Sequence, residues 1–132
     1  MQPQNTIYRL ANPGGEFNKL YAMGKRILGH EIGRLRWPTI VAERDGVVVG
    51  FIGTLKDDNI VLTGPLIVDL PKARMFVAMR LIEAYEQLRR ITGVMPILCA
   101  VRSDNKKWLE HIQVLGYVKM LETPEAVLFR KD

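Results

Sequence analysis

The apolar positions of this chain change period several times, and each change marks an element. Ile7-Tyr8-Arg9-Leu10 reads as a short first strand, ended by the turn cluster Asn12-Pro13-Gly14-Gly15. Phe17, Leu20, Tyr21, Met23, Ile27 and Leu28 then fall near a helical period. Gly24 and Gly29 weaken that helix, which predicts a break or kink before His30. Residues 30–38 read as a short second helix or a loop, closed by Trp37-Pro38.

A hairpin follows. Residues 39–43 make one strand, Arg44-Asp45-Gly46 the turn and residues 47–55 the partner, with Asp-Gly as the hairpin signal. A second turn at Asp57-Asp58-Asn59 leads into a long strand over residues 60–68. Gly64-Pro65 interrupts that strand, because proline lacks the N–H that a ladder needs, so a bulge or bend is expected there. Residues 71–91 form the longest helix. Pro71 suits its first turn, Ala78, Leu81, Ile82, Tyr85 and Leu88 line one face, and Gly93 is the stop.

Residues 96–101 read as an apolar strand buried on both faces. A helix over 106–115 follows, capped by Ser103, Asp104 or Asn105 and ended by Gly116, and then short strands at 117–122 and 126–130. A strand meander followed by a β-α-β crossover means an α/β (α+β) domain. Its mixed, mostly antiparallel sheet has about six to seven strands, flanked by about four helices.

At 132 residues the chain is one domain's worth, large enough to bury a core without a disulfide or metal. The single cysteine, Cys99, excludes an internal disulfide framework, and two histidines leave little material for zinc, so no metal is expected. No apolar run approaches the ~20 residues of a membrane span. The opening segment MQPQNTIYRL lacks the pattern of a secretory leader, which makes the cytoplasm the expected location. The net charge of +5 favours anionic partners such as phosphorylated cofactors or nucleic acid, without choosing among them. Aromatic residues are not interleaved with basic ones as in a nucleic-acid stacking platform.

Three stretches carry a resemblance. They are the hairpin Glu43-Arg44-Asp45-Gly46-Val47-Val48-Val49-Gly50-Phe51, the strand end Leu66-Ile67-Val68-Asp69-Leu70-Pro71, and Asp104-Asn105 with Leu115-Gly116-Tyr117. In this order they resemble the GNAT acyltransferases, over roughly residues 39–118 of the chain. The resemblance implies a single GNAT-type domain over 1–132 that transfers an acetyl (acyl) group from acetyl-CoA to a primary amine of a small molecule or protein. It implies that Leu66, Ile67 and Val68 hold the donor. Lys72, Ala73, Arg74, Phe76, Val77 and Ala78 would lie at its phosphates and Asn105 beside it.

Two departures stand against this. The family's glycine-rich loop is here Ala73-Arg74-Met75-Phe76-Val77-Ala78, with Phe76 at the first glycine, where a side chain blocks close approach of an anion to backbone N–H groups. The tyrosine that many members use to protonate the leaving thiolate is here Ile112, and Trp108 replaces a small residue. These departures, with Lys72-Ala73-Arg74 and Asn105-Lys106, also resemble small GNAT-like proteins of tailed bacteriophages. That implies a catalytically degenerate structural or interaction module, in the host cytoplasm or the virion.

Glu31, Glu43 and His111 are the candidate acid–base groups, each equally explained as an ordinary surface or half-buried residue. Cys99, in an apolar strand, reads as an inert core thiol. Exposed edges of the terminal strands would permit a homodimer.

Overall fold

Seven strands form one sheet in the order β1-β2-β3-β4-β5-β7-β6 in the computed structural model, which describes residues 5–57 and 59–132. The elements are β1 (Thr6–Leu10), α1 (Glu16–Leu28), β2 (Leu35–Arg44), β3 (Val47–Asp57), β4 (Ile60–Val68), α2 (Arg74–Thr92), β5 (Ile97–Arg102), α3 (Lys106–Val114), β6 (Val118–Glu122) and β7 (Ala126–Lys131). All neighbours pair antiparallel except β4 and β5, which α2 connects as a parallel crossover. Asp58, in the turn read after β3, and residues 1–4, in the segment read for a leader, lie outside the described residues.

Alternation along β2 and β3 places the helices. Ile40, Ala42 and Ile52 share a cluster with Val77, Leu81, Ile82 and Tyr85 of α2, whereas Val41 and Phe51 share one with Leu20 of α1. Neighbouring strand residues point to opposite faces, so α1 covers one face and α2 with α3 the other. Tyr85, Phe51, Phe129, Leu20 and Leu81 are fully buried, each contributing about 1.5–3 kcal/mol by leaving water.

Three helices are present among the described residues, where about four were expected. The segment read as a second helix or loop splits into a loop and the start of β2. Leu35 is buried, pairs with Leu55, and donates its N–H to Tyr21 Oη at 2.9 Å, which commits it to the sheet. The expected break before His30 is present, at Gly29, which ends α1 with φ +80°, while Gly24 does not interrupt the helix. Gly24 is buried against Ile32, whose Cγ2 lies 3.0 Å from where a Cβ would stand, so this glycine makes room and does not break the helix. β5 is not buried on both faces. Ile97, Cys99 and Val101 face the core, while Ala100 and Arg102 are exposed on the side that α1 does not reach.

The bulge in β4 is present. Ile52 pairs with Leu66 and Thr54 with Thr63, so Gly64 and Pro65 together oppose Gly53. Gly64 holds φ +143°, a region that side-chain-bearing residues avoid. Opposite it, a Cβ on Gly53 would stand 3.0 Å from Gly64 O, so the bulge needs glycine on both strands.

Candidate active site

β4 and β5 meet at one register pair, Thr63 with Cys99, and then diverge. Their divergence opens a cleft of about 440 Å³. Leu66, Ile67 and Val68 form one wall and Ala100, Val101 and Arg102 the other. The ends of α1 (Ile27, Leu28), α2 (Arg74, Met75, Ala78) and α3 (Asn105, Trp108) complete it. Arg26 of α1 is paired with Asp69, just past β4, at 2.6 Å, tying the helix to the rim. From Leu66 to Val68 the edge of β4 toward β5 has no strand partner among the described residues. An extended ligand laid there would complete its ladder.

The start of α2 faces the same opening. Ala73 holds φ +60° at the N-cap, which turns the chain into the helix three residues later than the expected start at Pro71. No side chain caps this end, and the first N–H with a helical partner is that of Val77, donating to Ala73 O at 3.2 Å. The N–H groups of Arg74, Met75 and Phe76 therefore point out of the helix, and a left-handed residue before a helical run makes such groups converge on an anion. Lys72 and Arg74 are exposed, with no ion-pair partner among the described residues. Cations are disfavoured at a helix N-terminus unless an anion is near.

Phe76 does not close this opening. Its side chain is 53% exposed outside the cleft, with the Arg80 guanidinium 5.3 Å from the ring centre. Val77 points into the core, and neither Lys72 nor Ala73 is on the cleft wall. Asn105 does two things: it lines the cleft and its Oδ1 accepts from Trp108 N at 3.3 Å as the cap of α3.

A second cavity, about 100 Å³, lies at the apex of the divergence. Its walls include Ile52, Gly64, Pro65, Ile82, Cys99, Ile112 and Tyr117. Leu66, Ala100, Val101 and Trp108 are shared with the outer cleft. Its two remaining walls, Thr63 and Tyr85, belong to a buried polar network. Arg89, 3% exposed, donates from Nε to Val94 O (2.6 Å), from Nη2 to Pro96 O (2.9 Å) and from Nη1 to Tyr85 Oη (2.8 Å). Thr54 donates to Pro38 O at 2.6 Å, so it accepts from Tyr85 at 2.7 Å. Thr63 in turn donates to Tyr85 at 3.1 Å. The Pro38 carbonyl can only accept, so it takes the Thr54 proton, and this sets the direction of the protons on Tyr85 and Thr63.

Tyr117 donates to Glu86 Oε2 at 2.6 Å, and Lys131 Nζ contacts the same carboxylate at 3.1 Å. Burial, with the Glu86 contact, holds the Tyr117 phenol well above its usual range. Burial, with the nearby Glu86 charge, pushes the Cys99 thiol up to about 12, so it remains a protonated wall residue.

The three acid–base candidates are not brought into the cleft. Glu43 accepts from Arg9 Nη2 at 2.8 Å, off the cleft walls and in a cluster with Glu16 at the start of α1. Arg9 holds the Glu16 carboxyl down at about 2. Glu31 is exposed, 3.6 Å from Lys25 Nζ, in a separate hollow with Tyr21 and Ile32. His111 stacks on Trp108 at 5.1 Å and has Nε2 3.2 Å from Met79 Sδ, off the walls of both cavities. Among the described residues no group of three or more His, Cys, Asp and Glu side chains could hold a metal ion, and no helix is long and apolar enough to cross a membrane.

Sequence reasoning missed the Arg89 network and Tyr117. Arg89 lies four residues after Tyr85 on the apolar face of α2, so the helical period held the signal. Tyr117 stood within the Leu115-Gly116-Tyr117 motif without being read as a wall of the site.

No protein-family model matches this sequence, and no curated protein does. Solved structures match well at low identity. Ard1 from Thermoplasma volcanium is 22% identical, with a TM-score of 0.75 over 96% of each chain. A putative acetyltransferase from Salmonella typhimurium, yncA with its cofactor acetyl-CoA, is 13% identical, with a TM-score of 0.73 over 97% of this chain and 94% of that one. A GNAT-family acetyltransferase from Staphylococcus aureus Mu50 is 11% identical, with a TM-score of 0.73 over 96% of this chain and 98% of that one. The chain has the fold of the GNAT N-acetyltransferases.

Proposed function

We propose that this protein, as one catalytic domain over its whole length, is an N-acyltransferase that moves the acyl group of an acyl-CoA to a primary amine. The observation that carries this is the one-pair contact between β4 and β5, which leaves an extended slot with an uncapped helix start at its mouth. The Salmonella structure of this fold was solved with acetyl-CoA, which supports the same donor class here.

The groups present fit that donor. Main-chain groups of Leu66 and Val68, which face away from β3, pair with the amides of its pantetheine arm, while Ile67 between them is paired to Phe51 of β3. The N–H groups of Arg74, Met75 and Phe76, with the side chains of Arg74 and Lys72, meet its phosphates. Ala78 keeps the wall low beside them, and Asn105 lines the opposite rim.

The thioester supplies an activated carbonyl. Backbone N–H groups along β4 polarise its oxygen, and the amine nitrogen forms the new C–N bond as the C–S bond breaks, releasing CoA as a thiolate that takes a proton from solvent. No carboxylate or imidazole stands on the walls of either cavity among the described residues, so the amine's proton leaves to solvent. Glu31, Glu43 and His111 therefore take no part in this reading.

The test is transfer from acetyl-CoA to a panel of small amines and peptides with free N-termini, followed by thiol release and product mass. Acylated product that depends on the protein supports the reading. CoA binding that is absent at millimolar concentration overturns it.

A further inference from the structure

The apex cavity is larger than an acetyl group needs. Its ~100 Å³ has room for about three groups the size of a water molecule. A donor whose phosphates sit at the start of α2 and whose arm runs back along Val68, Ile67 and Leu66 ends at Gly64-Pro65, which is the floor of this cavity. The methyl of an acetyl group fills about one third of it by the same volume measure.

The chemistry of the walls selects what fills the rest. Ile52, Ile82, Ile112 and Trp108 are apolar, and the hydroxyl protons of the walls Thr63, Tyr85 and Tyr117 are already used. Thr63 donates to Tyr85, Tyr85 to Thr54, and Tyr117 to Glu86. Such walls offer water little and offer methylene groups dispersion and dehydration.

We infer that the preferred donor is a short-chain acyl-CoA longer than acetyl, with its acyl chain seated in the apex cavity against Ile112. This rests on the acyl-CoA reading above and names the donor class for the same site. Each methylene buried there strengthens binding about four-fold, so butyryl-CoA binds about 15-fold more tightly than acetyl-CoA. A hexanoyl chain exceeds the room available and loses that gain.

Calorimetric titration of the intact protein with CoA, acetyl-, propionyl-, butyryl- and hexanoyl-CoA tests the inference. It predicts affinity rising from acetyl to butyryl and falling at hexanoyl. In an Ile112→Phe variant the rise vanishes, so that butyryl-CoA binds it no better than acetyl-CoA does. Butyryl-CoA binding no better than acetyl-CoA, in a wild type that does bind CoA, overturns the inference and leaves the acyl-CoA reading standing. No binding of CoA overturns both. The wild-type series decides the matter alone should the variant not fold.

Discussion

A variant carrying both Lys72→Ala and Arg74→Ala loses CoA affinity by at least about 100-fold while keeping its melting temperature. A charge-assisted hydrogen bond to phosphate contributes about 1.5–3 kcal/mol, and two of them about 3 kcal/mol or more. Both side chains are exposed and neither has an ion-pair partner among the described residues, so folding gains nothing from them. Their position at the start of α2 sets them against the helix dipole, so their removal is neutral or slightly stabilising. Calorimetry gives the affinity and a thermal melt gives the control. A double variant that binds CoA as tightly as the wild type would show that the phosphates lie elsewhere.

The second large effect is on stability. Arg89→Met keeps most of the aliphatic stem and removes the donors, leaving Val94 O, Pro96 O and Tyr85 Oη without the bonds of 2.6, 2.9 and 2.8 Å they now accept. Buried acceptors left unpaired cost about 1–3 kcal/mol each, so the expected loss is about 3–5 kcal/mol. Against a typical stability of about 5–15 kcal/mol this is a large fraction. The melting temperature falls by more than about 10 °C. Arg89→Lys recovers only part, because an ammonium is a point donor and does not span two carbonyls and a phenol as a planar fork does. A loss below about 1 kcal/mol for the methionine variant would contradict the reading of these three bonds as the pairing of buried acceptors.

Much of the arrangement was legible in the chain. Asp45-Gly46 placed the hairpin, Gly64-Pro65 placed the bulge, and the run Ser103-Asp104-Asn105 held the cap of α3, which is Asn105, because each is a local event decided by backbone chemistry. Leu66, Ile67, Val68, Arg74, Ala78 and Asn105 line the cleft. What failed depended on partners distant in sequence. Leu35 belongs to the sheet through Leu55 and Tyr21, and Gly24 stays helical because Ile32 packs over it. Phe76 stands at the position of a family glycine, but its first-turn direction on α2 sends the ring outward, a direction that alignment by residue type does not carry. Glu43 looked available as a base until β1 brought Arg9 beside it.

The most direct test of the central claim, that the divergence of β4 from β5 is a CoA slot, is amide hydrogen exchange with and without saturating CoA. The account predicts slowed exchange confined to Leu66 and Val68 and to Arg74–Phe76, the unpartnered strand edge and the uncapped helix start. Protection that appears instead at the Tyr21–Glu31 hollow or along β6, or none at all at millimolar CoA, would contradict it.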